Sequence, residues 1–198
     1  MIAGDDGVTR CGWGDAPPDY RAYHDTEWGF PAPGDARLFE KLCLEGFQSG
    51  LSWLTILRKR EAFRAAFCNF DVERVARFGE RDVARLLADA GIVRHRGKIE
   101  ATINNAQRAV EMVEAEGSIE AFVWRFAPAA AHDPRVVRAT APESVALSKE
   151  LKRRGWRFVG PTTAYAFMQA MGLVNDHHPD CAAHAQVAAA QQAFPRPS

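Results

Sequence analysis

Apolar residues recur along most of this chain at helical spacing, and no segment of useful length alternates with the two-residue period of a strand. The clearest case is Ile99, Ile103, Ala106, Val110 and Val113, which step by four, three, four and three and predict an amphipathic helix. Trp53, Ile56, Phe63 and Phe67 predict another, starting near Ser52, with Arg58, Lys59 and Arg60 on its opposite face. Leu38, Phe39, Leu42 and Cys43 predict a helix that Asp35 is placed to cap and that Gly46 and Gly50 weaken at its far end. Shorter helices follow: Val72, Val75 and Ala76 behind a capping Asp71; Val83, Leu86, Leu87 and Ala90, closed by Gly91; and Ile119, Phe122, Val123 and Phe126. Residues 127–142, with three prolines, read as a connecting loop. A helix over about 144–154 and a last one carrying Ala164, Phe167, Met168 and Met171 complete an all-α pattern. A single domain over residues 1–198 is expected, with a globular part at about 11–181 and a flexible, Ala- and Gln-rich tail over 182–198.

One position breaks the pattern. Glu45 falls on the same helical face as Leu38, Leu42 and Ser49, and a carboxylate there is costly without a partner or a task. Pairing with a nearby Arg, or escape to solvent if Gly46 ends the helix, would make it unremarkable. The irregular arm over residues 11–34 carries Trp13, Tyr20, Tyr23, Trp28 and Phe30. Such aromatics usually pack in a core, but Trp13, Tyr23, Trp28 and Trp53 around Glu45 would also suit a planar, cationic ligand, with ring faces for stacking and a carboxylate for an amine.

Composition narrows the classes. Lys and Arg total 25 and Asp and Glu total 25, so bulk charge forces no nucleic-acid partner, and only a local basic face supports one. No apolar run approaches membrane-spanning length, and the first residues lack the apolar core of a secretory signal, so no membrane partner and a cytoplasmic location are expected. Four cysteines in that setting suggest thiols or metal ligands rather than a disulfide framework.

Cys43 and Cys68 sit at apolar positions and read as core residues, whereas Cys11 and His24 lie in the arm and His177 and Cys181 just past the last predicted helix. Together these four make a Cys2His2 set of the kind zinc takes in closed tetrahedral sites, and the site would staple the two ends of the chain. His178 competes with His177 for that role, while His95, His132 and His184 read as surface residues.

Between the last two predicted helices stands LKRRGWRFVGPTT, a candidate helix-hairpin-helix with Gly155 and Gly160 in the hairpin and Pro161 and Thr162 opening the second helix. Backbone amides there face outward for a phosphate. Lys149, Lys152, Arg153, Arg154 and Arg157 against Glu150 give a local charge of +4, and Arg94, His95, Arg96 and Lys98 form a second basic helix start. Charge runs are usually just solvated faces; two of them beside glycines favour phosphate binding.

The segments CGW, YHDTEWG, LFEKLCLEGFQSGLSWLTILRKREAFRAAF, DAGIVRHRGKIEATINNA and LKRRGWRFVGPTTAYAFMQAMGLVNDH, closed by Cys181, resemble the DNA-3-methyladenine glycosylase I family of bacterial base-excision enzymes from about Cys11 to Cys181. The resemblance implies a helix-hairpin-helix DNA glycosylase fold with one structural Zn2+ held by Cys11, His24, His177 and Cys181, which places His178 outside the ligand set. It puts the base-recognising carboxylate, and the one catalytic candidate, at Glu45. The pocket aromatics fall on Tyr23 and Trp53, with Trp13 and Trp28 nearby. Ser49-Gly50-Leu51 matches the turn that enters DNA, with Leu51 as the wedge, and Gly155, Gly160 and Thr162 join it as DNA-binding candidates. Phe47 departs from the family's pattern, where a smaller or polar residue often stands. Asp176 lies near the catalytic Asp of other superfamily members, a role this family does not use in the usual way.

The implied activity is monofunctional hydrolysis that flips out and releases 3-methyladenine from alkylated double-stranded DNA, by a protein expected to be a monomer. A second reading keeps the fold and the staple without chemistry: a non-catalytic zinc-stapled protein that binds damaged or abasic DNA. A metallohydrolase fits less well, because four protein ligands leave no position for water.

Overall fold

A computed structural model describes residues 1–197. It opens with two elements that the helical pattern did not predict, strands β1 (Ile2–Ala3) and β2 (Thr9–Arg10), paired antiparallel. Ten helices follow among the described residues: α1 (Pro18–Thr26), α2 (Asp35–Gln48), α3 (Trp53–Ala66), α4 (Val72–Ala76), α5 (Glu80–Ala88), α6 (Arg96–Glu116), α7 (Ile119–Trp124), α8 (Pro142–Arg153), α9 (Pro161–Ala170) and α10 (Ala182–Ala193). None is long and apolar enough to cross a membrane.

Helix α2 runs through the middle, packed against α3, α6, α7 and α9. Its Leu38, Phe39, Leu42, Leu44 and Phe47 are buried, and burying each such side chain contributes about 1.5–3 kcal/mol. Phe47 meets Phe63 at 4.6 Å and Phe67 at 5.9 Å between ring centroids. The α6 stripe lies on α2 and α4 and buries Ile99, Ile103 and Ala106. Ser52, Asp71 and Ser118 cap α3, α4 and α7 through their side-chain oxygens.

Several expectations are corrected. Asp35 does not cap α2; Gly34 holds that position, and the Asp35 carboxylate instead accepts from the amide of Glu120 at 3.0 Å, in the first turn of α7. Gly46 does not end α2: the helix continues to Gln48, and Gly46 provides room for Phe158, whose Cβ would lie 3.3 Å from a Cβ placed there. Helix α5 stops at Ala88, and Gly91 follows in a turn where its amide donates to Asp89. His95 is exposed as expected and caps α6, whereas His132 and His184 are half-buried. The segment read as a flexible tail forms α10, with Ala183 and Val187 buried, Gln191 bonded to the carbonyls of Gly29 and Gly172, and Phe194 stacked on Trp124. Alanine is poor in apolar area but the best helix former, so an apolar stripe is a weak guide to such a segment.

Candidate active site and metal centre

Helix geometry carries Glu45 inward, onto the buried side of α2, where it is 5% exposed. Its partner is not an Arg. Lys41, one turn earlier, places Nζ 2.7 Å from Glu45 Oε1 and 3.1 Å from the hydroxyl of Tyr23. The same ammonium lies 3.1 Å from the centroid of the Trp53 ring. Burial pushes the Lys41 ammonium down to about 8, against the pull of Glu45. Burial first, and then the charge of Glu45, hold the Tyr23 phenol well above its ordinary range.

Glu45 opens into a cavity of about 480 Å³ lined also by Trp13, Tyr20, Tyr23, Trp28, Gln48 and Trp53. Trp13 contacts Tyr20 and Trp28 at 5.0 Å between centroids, and Tyr23 meets Trp53 at 5.4 Å. The four aromatics singled out in the sequence therefore converge on the carboxylate, and Tyr20 and Gln48 join them. Two buried polar atoms of this lining, Trp53 Nε1 and Asp176 Oδ1, have no hydrogen-bond partner. Asp176 Oδ2 accepts from Tyr165 at 2.6 Å and Gln169 at 2.9 Å. Buried polar atoms are nearly always paired, so these two are exceptions among the residues of the lining.

Past Glu45, α2 ends in the turn Ser49-Gly50-Leu51. Gly50 adopts φ +80°, which a side chain would strain, and Leu51 stands 42% exposed. Lys98 fastens the turn from α6, donating to the carbonyls of Phe47 at 2.8 Å and Ser49 at 2.6 Å. Phe47 sends its ring into the core and offers the turn only its carbonyl.

Between α8 and α9, Gly155 takes φ +83° and Gly160 precedes α9, with Thr162 exposed in its first turn. Phe158 holds φ +55° and is 40% exposed. Asn104 donates to the carbonyl of Gly155, Asn105 both donates to and accepts from the backbone of Arg157, and Ser148 donates to the carbonyl of Val159. These three polar residues, unremarked in the sequence, fix the hairpin. The basic face is weaker than its residue count: Glu150 pairs with both Arg153 and Arg154, and Arg96 pairs with Glu80 and Glu100. Lys149, Lys152 and Arg157 are exposed.

Cys11, His24, His177 and Cys181 converge at the junction of the two chain ends, all buried, with their ligand atoms within 4.8 Å of one another. Cys181 Sγ lies 3.5 Å from His177 Nδ1 and 3.6 Å from His24 Nε2, and Cys11 Sγ lies 3.9 Å from His177 Nδ1. Tetrahedral bonds of about 2.3 Å to sulfur and about 2.0 Å to nitrogen separate such ligands by about 3.5 Å. The remaining ring nitrogens are held: His24 Nδ1 by Asp25 at 2.8 Å and His177 Nε2 by the carbonyl of Trp28 at 2.9 Å. Arg10, overlooked in the sequence, is buried and holds Asp25 from behind at 2.8 Å. Burial keeps both imidazoles neutral, His177 down to about 4, and lifts the Cys11 thiol to about 11. Neutral imidazoles beside a thiol that only a cation would ionise fit a bound metal. His178 stands outside the cluster, half-buried at the cavity lining.

A largely helical fold thus seats a buried carboxylate among aromatics, beside a turn with an exposed leucine. The sequence profile of the methyladenine glycosylases matches residues 13–184, and the chain belongs to that family, hydrolases of N-glycosyl bonds. It is 50% identical over 182 residues to DNA-3-methyladenine glycosylase 1 of Escherichia coli strain K12, covering 88% of this chain and 96% of that one. It is 45% identical to the DNA-3-methyladenine glycosylase of Haemophilus influenzae, covering 88% and 97%. Among solved structures, 3-methyladenine DNA glycosylase I from Staphylococcus aureus, described with the structural basis of its 3-methyladenine recognition, aligns with a TM-score of 0.83 at 37% identity, covering 89% of this chain and 97% of that one.

Proposed function

We propose that this protein releases 3-methyladenine from alkylated double-stranded DNA by hydrolysis of the N-glycosyl bond. The observation that carries the reading is Glu45, a buried carboxylate opening into a cavity walled by Trp13, Tyr23, Trp28 and Trp53. Alkylation at N3 makes the adenine base cationic and a good leaving group. Base extrusion costs a few kcal/mol of unstacking, least at a damaged site, and Leu51 enters the gap as the wedge. The base stacks on Trp53 and Tyr23, each contact contributing about 1–3 kcal/mol. Glu45 accepts from the exocyclic amine and stabilises the positive charge that spreads toward the sugar as the bond breaks. Guanine offers an oxygen where adenine offers the amine, and the carboxylate repels it.

The hairpin between α8 and α9 grips the DNA backbone as a helix-hairpin-helix, through the amides after Gly160, Thr162 and the exposed Lys149, Lys152 and Arg157, with Gly155 allowing close approach. Cys11, His24, His177 and Cys181 hold one structural Zn2+, which joins the aromatic arm to the start of α10; four protein ligands leave it no catalytic position.

The test is a duplex treated with a methylating agent and then with the protein. Abasic sites, read as alkali-labile breaks, accumulate with time and enzyme. Binding without new breaks supports a non-catalytic damage-binding protein and contradicts the proposal.

A further inference from the structure

Lys41, packed against the pocket, has no part in the proposed activity. An ammonium is fully buried beside the carboxylate and aromatic rings that suit a cationic base. It is 2% exposed and is not part of the cavity lining, so it lies behind Glu45 and Trp53. The charged and titratable groups around it are Tyr23 on α1, Glu45 and Arg37 on α2, and Arg60 on α3. Among the described residues Glu45 is its only anionic contact, and the two arginines are paired elsewhere, Arg37 with Glu27 and Glu40 and Arg60 with Glu27.

We propose that Lys41 is a positioning residue that makes the pocket sense base charge: its ammonium holds Glu45 and Trp53 in place when the pocket lacks a lesion, and a cationic base displaces its proton. The inference rests on the reading of Glu45 and Trp53 as the base site. One oxygen of Glu45 and one face of the Trp53 ring already serve Lys41. A cationic base using the remaining carboxylate and ring surface brings a second positive charge to the same pair. Two cations cannot both be stabilised by one buried carboxylate, and the weaker acid-holder yields. Burial has already brought the Lys41 ammonium down to about 8, so little further push is needed near neutrality. In the binding step Lys41 passes from –NH3+ to –NH2, the proton goes to solvent, and no bond in the base changes. A neutral base makes no such demand and leaves the ammonium in place.

Isothermal calorimetry with 3,9-dimethyladeninium, a probe that is cationic at neutral pH, against neutral adenine tests this directly. Titrations at pH 7 in buffers of different ionisation enthalpy count the protons released. The expected result is close to one proton per cation and none per adenine, with affinity for the cation rising up to tenfold per pH unit below about 8 and level above it. Lys41→Met abolishes the release and flattens the profile. Lys41→Arg, a permanent cation, also abolishes it but binds the cation at least tenfold more weakly than Lys41→Met. Binding of the cation by the wild type without proton release overturns the role of Lys41 alone. A purely structural lysine would leave the pH profile unchanged in both variants, or would be rescued by arginine, and either result also overturns it. Failure to release any base from alkylated DNA overturns the reading on which it rests, and this proposal with it.

Discussion

Lys98 Nζ lies 2.6 Å from the carbonyl oxygen of Ser49, so the first turn of α6 holds the backbone of the turn that presents Leu51. The same ammonium takes the carbonyl of Phe47, supplying a donor to the end of a helix whose last carbonyls otherwise lack one. Lys98→Met leaves both acceptors in a partly buried place without their charged donor. The expected cost is about 2 kcal/mol or more in stability, with roughly tenfold slower base release if the turn that carries Leu51 acts on the DNA as proposed. Urea unfolding and single-turnover base release on the same preparation measure the two effects.

Glu45→Gln keeps the volume and one acceptor oxygen but removes the charge. Lys41 then loses its anion and sheds its proton at lower pH, which limits the cost to the fold. Base release is expected to fall about 100-fold, the scale of losing one electrostatic contact to the developing charge. Circular dichroism melting beside the kinetics separates this from unfolding. An unchanged rate removes Glu45 from the mechanism.

Asp35→Ala removes the carboxylate that satisfies the Glu120 amide. Losing that acceptor costs about 1 kcal/mol, so the melting temperature should drop by about 2–4 °C, while base release stays at the wild-type rate because α7 does not line the pocket. A drop in rate at full occupancy of the folded state would show that α7 reaches the site.

The metal centre makes a prediction with a sign. Folded His24 and His177 sit below their ordinary value of 6.5, His177 near 4, chiefly through burial. The unfolded chain therefore binds more protons as pH falls, and stability present above about 6.5 is lost progressively toward about 4. Metal binding adds to the same slope, since protons compete for the ligands. Chelation at pH 7.5 should release one zinc per chain and lower the melting temperature, and Cys181→Ser should lower both metal content and stability. A metal-free preparation with unchanged melting and full activity would eliminate the staple.

Much of this arrangement was legible from residue order. The four-and-three stepping of Ile99 to Val113 became α6, and Ser52, Asp71 and Ser118 cap the helices they precede. Glu45 stood out because a carboxylate on an apolar face is expensive, and the aromatics gathered around it. What stayed hidden was pairing in space. Lys41 stands four residues before Glu45, a helical neighbour by spacing, yet its burial depends on Tyr23 and Trp53 closing over it. Asp35 looked like the cap of its own helix because sequence cannot reveal that the amide it serves lies 85 residues away. Asn104, Asn105 and Ser148 read as ordinary polar positions until the hairpin backbone folded against them. The basic charge near the hairpin was overstated because Glu116, far along the chain, also pairs with Arg154.

The pocket around Glu45 is tested most sharply by the identity of the bases the protein sets free. DNA alkylated with a labelled methyl donor is incubated with the zinc-loaded protein, and the released bases are separated by chromatography. 3-Methyladenine is expected in the soluble fraction, with 7-methylguanine remaining in the DNA. A folded, zinc-loaded protein that releases no 3-methyladenine, or that releases methylated guanine as readily, would contradict the assignment of the pocket around Glu45.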